Sequence, residues 1–145
     1  MDEYYWTAVD FEILSKAQTM PELLAIASSV LDRMAQPVYL VSGSISTGGY
    51  GSIPENLQAF ADAIRLVRVS GKTVFNQLPF EDKFTELSRK SKMHYFRPIL
   101  DEFFLPIFKS GKIKHIIFMK NWQSSTGARW EYTVAGELGI KRVLL

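Results

Sequence analysis

The chain contains no cysteine, which excludes disulfides, thiolate nucleophiles and cysteine-based zinc sites. Histidine is scarce too: His94 and His115 lie far apart and without the spacing of a helical ligand pair, so neither a metal ion nor another cofactor is expected. No apolar run approaches the roughly 18 residues that a membrane helix needs, so no membrane partner is expected. The opening Met1-Asp2-Glu3 lacks the basic-then-apolar pattern of a secretory signal, and the expectation is a cytoplasmic protein. Neither sign of charge dominates. With 17 basic and 15 acidic residues the net charge is +2, and the longest basic cluster is Arg89-Lys90 with Lys92 nearby, which argues against a polynucleotide partner.

Apolar residues are plentiful: 47% of the 145 residues are hydrophobic and 13% aromatic, enough to fill the core of one globular domain. Neither a repeat nor a low-complexity tract nor a long linker divides the chain. Val38 to Val41 is an apolar, β-rich run that stops at Ser42-Gly43, and a Gly/Ser-rich loop continues through Gly51. Ser52-Ile53-Pro54-Glu55 is a capping box, followed by Leu57, Phe60, Ala61, Ile64 and Val67 at helical spacing. Thr73 to Asn76 reads as a second strand, left through Leu78-Pro79-Phe80-Glu81-Asp82 as an irregular loop able to line a pocket. Ile99 to Phe108 predicts an apolar helix kinked or restarted at Pro106 and ended at Ser110-Gly111. His115 to Met119 is a third strand, Thr126 to Leu138 an amphipathic helix closed by Gly139, and Lys141 to Leu145 a fourth strand.

Strands alternating with helices of this length predict an α/β fold: a three-layer, flavodoxin-like or Rossmann-like domain over residues 37–145 with a mostly parallel sheet. Residues 1–36 fall outside the alternation. There Thr19-Met20-Pro21-Glu22 is a capping box and Leu23, Leu24, Ala27, Val30, Leu31 and Met34 form a stripe, so this segment is expected to be a helical extension packed on the domain.

Chemistry concentrates at two loops. Ser42 to Gly49 offers hydroxyls and close backbone approach for an anion, although it matches neither a Walker A sequence nor a dinucleotide fingerprint, and such loops also serve simply to turn the chain. Ser124-Ser125-Thr126-Gly127-Ala128-Arg129-Trp130-Glu131 joins the third strand to the last helix, which places Glu131 near a strand's carboxyl end, where α/β folds hold ligands. A glutamate in a first helical turn is also favoured by the helix dipole alone. Asp101 and Glu102 sit on the apolar Ile99–Phe108 segment, where helical periodicity turns one of them inward or leaves both as solvated surface.

Gly43-Ser44-Ile45 after a first strand, joined to Ser125-Thr126-Gly127-Ala128-Arg129-Trp130-Glu131 before the last helix, resembles the nucleoside 2-deoxyribosyltransferase superfamily over roughly Val38 to Leu145. The likeness is nearest to the deoxynucleoside 5′-monophosphate N-hydrolases, because the position six before the glutamate is Ser125 where the transferases carry aspartate. The resemblance implies that Glu131 is the nucleophile at the sugar C1′, and that Asp101 is the second catalytic acid. Gly43, Ser44, Ile45, Ser46, Ser125 and Gly127 would hold a 5′-phosphate; at position 46 the hydrolases have an arginine. It also implies a homodimer or larger homo-oligomer. Phe80 and Trp122, on strand-exit loops, are candidates to stack on the base, with core packing as the alternative. Tyr39 is one residue out of register with a tyrosine typical of the family, and strand alternation turns it to the other sheet face.

The reaction expected is cleavage of the base–sugar bond through a glycosyl-enzyme, by hydrolysis or transfer, with a nucleotide or nucleoside as the small-molecule partner. The alternatives are a nucleotide-binding module without turnover and a structural or interaction protein, the latter drawing contact surface from Tyr4-Tyr5-Trp6 and the N-terminal helix.

Overall fold

The computed structural model describes residues 5–45, 48–91 and 96–145. Met1, Asp2, Glu3, Tyr4, Ser46, Lys92 and His94, named above, lie outside the described residues. Val38–Ser42 (β1), Thr73–Phe75 (β2), Ile113–Phe118 (β3) and Lys141–Leu144 (β4) pair into one parallel sheet in the order β2-β1-β3-β4. Leu40 lies opposite Phe75 on one side and Ile116 on the other, so β1 and β3 form the centre. The chain runs from β1 outward to β2 and then returns past β1 to β3. The strand order therefore reverses between β1 and β3, and their carboxyl ends diverge around a crevice.

Helices α1 (Ala8–Lys16) and α2 (Met20–Arg33) precede the sheet; α3 (Ile53–Val69) links β1 to β2 and α4 (Glu81–Arg89) follows β2. The segment before β3 winds as a π-helix over Ile99–Phe104 and tightens into α5 (Leu105–Lys109). Pro106 accounts for the change of pitch: its ring excludes the carbonyl four residues back and it has no N–H to donate, so the wider turns come before it. Helix α6 (Thr126–Leu138) links β3 to β4 and closes on Gly139, whose φ of 73° is the left-handed conformation that ends a helix.

Side-chain alternation splits the core in two. Val38, Leu40, Phe75, Ile116 and Phe118 face α1, α2, α4, the π-helix, α5 and α6, while Val41, Val74 and Ile117 meet Phe60, Ala63, Ile64 and Val67 of α3. This is the three-layer α/β arrangement expected from the sequence. Tyr39 belongs to the α3 face and stacks on His115 at 4.3 Å, turned away from the other layer.

Two segments differ from expectation. Leu78 to Asp82 is not an irregular loop: Leu78–Phe80 forms a 3₁₀ turn, with Pro79 in its first turn, and runs directly into α4. Tyr5 and Trp6 do not form a contact surface, since Trp6 is fully buried between Phe11 and Phe80, with ring centroids at 5.0 and 5.1 Å, and its Nε1 donates to the Asn76 carbonyl at 3.0 Å. A capping box between Thr7 and Asp10 starts α1, and Arg33 at the end of α2 pairs with the buried Asp10. The N-terminal segment is thus part of the main core. Trp6→Ala is expected to cost about 3–5 kcal/mol, and chemical denaturation followed by circular dichroism should show one cooperative transition at a lower midpoint. A second transition, with the sheet unaffected, would contradict a shared core.

Candidate active site

The β3–α6 connection is built to expose one helix start at the crevice. Asn121, in the left-handed region at φ 64°, turns the chain into a 3₁₀ turn over Trp122–Ser124, and Ser125 then caps α6 by accepting from the Ala128 N–H at 3.2 Å. Three residues beyond Ala128, on the inward face shared with Val134 and Ala135, lies Glu131, only 6% exposed. Beneath it is Ser42, the last residue of β1 and 1% exposed, whose Oγ donates a hydrogen bond to the Glu131 carboxylate. Burial pushes the Glu131 carboxyl up to about 7; the Ser42 bond opposes this and the charge of Glu81 adds to it.

Glu131 opens onto a cleft of about 80 Å³. Gly43, Ile45, Ser125 and Gly127 line one side, as expected from the sequence, and Phe60, Phe84, Ile99, Leu100 and Phe104 make much of the rest apolar. Gln77 and Glu81 enter from the β2 exit. Gln77 is 3% exposed; its Nε2 donates to the Val41 carbonyl at 2.9 Å, while its Oε1 has no partner among the described residues. Glu81 is half-buried at the start of α4, and burial together with the adjacent Asp82 charge pushes its carboxyl up to about 7.

The β1–α3 loop is held against the β3–α6 loop by a small polar network. Asn56, 3% exposed on α3, donates through Nδ2 to the Ile45 carbonyl at 3.0 Å and the Gly48 carbonyl at 3.2 Å, and accepts from the Tyr50 N–H at 2.9 Å. Ser124 Oγ accepts from the Gly49 N–H at 2.9 Å and sits 3.5 Å from Ser44 Oγ. Only glycine fits here: with φ of 68°, a Cβ on Gly48 would lie 2.2 Å from the Ser124 carbonyl oxygen. Ser44 is buried and lines a neighbouring cleft of about 370 Å³ with Tyr50, Asn56 and Lys120.

Four expected residues are not brought to the Glu131 cleft: Ser44, which lines the neighbouring one, and Asp101, Phe80 and Trp122. Asp101 is exposed and paired with Arg97 at 3.3 Å; the π-helical winding turns Ile99 and Leu100 to the cleft and both Asp101 and Glu102 to solvent. Phe80 is fully buried among Trp6, Phe75, Phe84 and Phe103. Trp122 stacks on Tyr132 at 4.4 Å and leans on Phe118. Both aromatics are packing residues, and Phe84 and Phe104 occupy the places facing the cleft. Ser46, expected at the phosphate, is outside the described residues.

No family model, curated protein or solved structure matches this chain. The site is therefore read from its own geometry. Among the described residues no three His, Asp or Glu side chains gather as a metal site, and none of the described residues lining the cleft is Lys or Arg. Sequence reasoning gave no role to Asn56 or Gln77, took Ser42 only as one hydroxyl of an anion loop and Glu81 only as part of a pocket-lining loop. A polar residue closing an otherwise apolar strand, Val38-Tyr39-Leu40-Val41-Ser42, was the available signal for the role of Ser42.

Glu131 titrates near 4.5 in an unfolded chain and near 7 in the fold, so between those values the native state holds the extra proton and stability falls as pH rises. Above the folded value the loss is complete, on the order of 3 kcal/mol. Glu131→Gln, which keeps the shape and a partner for Ser42, is expected to raise the melting temperature above pH about 7, with the gain fading toward 4.5; thermal melts across this range check it. Asn56→Ala strands several loop groups and is expected to cost about 1–3 kcal/mol, with faster amide exchange at Gly49 and Tyr50.

Proposed function

We propose that this protein is an N-glycosidase that cleaves the base–sugar bond of a nucleoside 5′-monophosphate through Glu131. The observation that carries the reading is the buried Glu131 carboxylate, held by Ser42 and opening onto a cleft at the carboxyl ends of β1 and β3. An oxygen of Glu131 forms a bond to C1′ as the C1′–N bond breaks and its electron pair leaves with the base. Water then attacks C1′ and frees the carboxylate, so the sugar configuration is retained.

A cleft of about 80 Å³ is well below the roughly 300–1,000 Å³ that encloses a whole drug-sized ligand. It therefore takes the sugar and the scissile bond, with the base and phosphate lying in its mouth. The base packs against Phe84 and Phe104. The phosphate is held by hydroxyl and backbone donors of Gly43, Ile45, Ser125 and Gly127, helped by the positive end of the α6 dipole. Ser42 keeps the nucleophile in one rotamer and favours its ionised form. Transfer to a second base in place of water would proceed from the same glycosyl-enzyme.

Chromatographic assay of free base released from ribo- and deoxynucleosides and their 5′-monophosphates tests the proposal. Wild type should release base from at least one 5′-monophosphate, faster than from its nucleoside, and Glu131→Ala should lower the rate by about 10⁴-fold or more, as loss of a covalent nucleophile does. Nucleotide-dependent thermal stabilisation without base release would instead identify a binding module.

A further inference from the structure

Of the described side chains lining the cleft, the ionisable ones are Glu131 and Glu81, which enter from opposite walls, α6 and the start of α4. A glutamate at a helix start ordinarily serves the dipole and stays in water. Its neighbour Asp82 does so and is exposed, whereas Glu81 is turned into a cleft whose walls on that side are Phe84, Ile99, Leu100 and Phe104. The 3₁₀ turn at Leu78–Phe80, anchored by the buried Phe80, fixes the direction of that first residue of α4.

The two carboxyls have different surroundings. Glu131 accepts a hydrogen bond from Ser42, which favours its ionised form, while Glu81 accepts none from a described residue and meets mainly apolar surface, which favours its neutral form. The charged groups that bear on them are each other and Asp82; the described lining residues from the β1 exit, α3 and the π-helix carry no charge. Two carboxyls in one apolar cleft hold a single proton between them near neutrality, and the Ser42 contact decides which one keeps it.

We infer that Glu81 is the general acid of the proposed reaction: it protonates the departing base while Glu131 attacks C1′. This rests on the glycosidase reading above. As the C1′–N bond breaks, the base nitrogen takes the Glu81 proton. In the second step the Glu81 carboxylate accepts a proton from the attacking water, the oxygen of that water bonds to C1′, and the bond from C1′ to Glu131 breaks. Both residues return to their starting states. The apolar walls beside Glu81 favour its protonated form and the Ser42 hydrogen bond favours the ionised form of Glu131, so the acid is loaded while the nucleophile is charged.

The test compares wild type, Glu81→Gln and Glu131→Gln on two substrates: the best nucleotide, and 4-nitrophenyl 2-deoxyribofuranoside 5-phosphate, whose leaving group departs without a proton. Glu81→Gln should lower kcat for the nucleotide by about 10²–10⁴-fold with little change in KM and lose the alkaline limb of the pH–rate profile. The pre-steady-state burst of nitrophenolate should keep close to its wild-type rate and still require Glu131, whereas the turnover after the burst slows because the attack of water uses the Glu81 carboxylate. An equal loss in single-turnover base release and in the nitrophenolate burst would assign Glu81 to binding or folding, and no loss on the nucleotide would remove it from the chemistry; either result overturns the inference while leaving the glycosidase standing. A wild type that releases neither base nor nitrophenolate rejects the glycosidase reading and the acid role together.

Discussion

The hydrogen bond from Ser42 to Glu131 is the contact on which the site depends. A carboxyl group taken out of water is among the costliest things a fold can bury, and it neutralises or ruptures the packing unless something satisfies its charge. Here the last residue of β1 supplies one hydroxyl, and no other hydrogen bond to the carboxyl comes from a described residue. That is enough to fix the rotamer of Glu131 and too little to bring its pKa down to the usual carboxylate range, so the group stays poised near neutrality. A cation such as an arginine in place of Ser42 would hold the carboxyl ionised and well below neutrality.

Everything around that contact holds two loops at a fixed distance. The central position of β1 and β3 sets where the loops leave the sheet, and the reversal of strand order between them leaves the crevice open. Asn56 and Ser124 then tie the loops by hydrogen bonds that glycines at 48 and 49 make sterically possible. On the opposite wall the aromatic cluster of Trp6, Phe80, Phe84, Phe103 and Phe104 gives α4 and the π-helix a rigid backing. The N-terminal segment therefore contributes to the site without touching it, through Trp6 against Phe80.

The sheet and the helix carrying Glu131 were legible because their signals are local: apolar runs of strand length, capping serines and closing glycines at α3 and α6. The side of Tyr39 also followed from alternation alone. The opposite wall was not legible. A π-helix wraps more than 3.6 residues per turn, so helical spacing misassigns which of Ile99 to Glu102 faces inward, and Asp101 was expected where Ile99 and Leu100 stand. Helix α4 is mostly polar and short, so periodicity did not distinguish it from a loop, and Glu81 passed unnoticed at its start. Phe80 and Trp122 do follow β2 and β3, in 3₁₀ turns, but no sequence rule says whether an aromatic at a strand exit turns toward a cleft or back to the core.

The central claim is covalent: Glu131 carries the sugar during turnover. The most direct measurement is intact-protein and peptide mass spectrometry after incubation with a 2′-fluoro-2′-deoxy nucleotide, whose electron-withdrawing fluorine slows breakdown of a glycosyl-enzyme. The account predicts a mass increase equal to the fluorosugar phosphate, mapped to the peptide containing Glu131 and absent from Glu131→Gln. Base release with no adduct, or an adduct on any other residue, would contradict it.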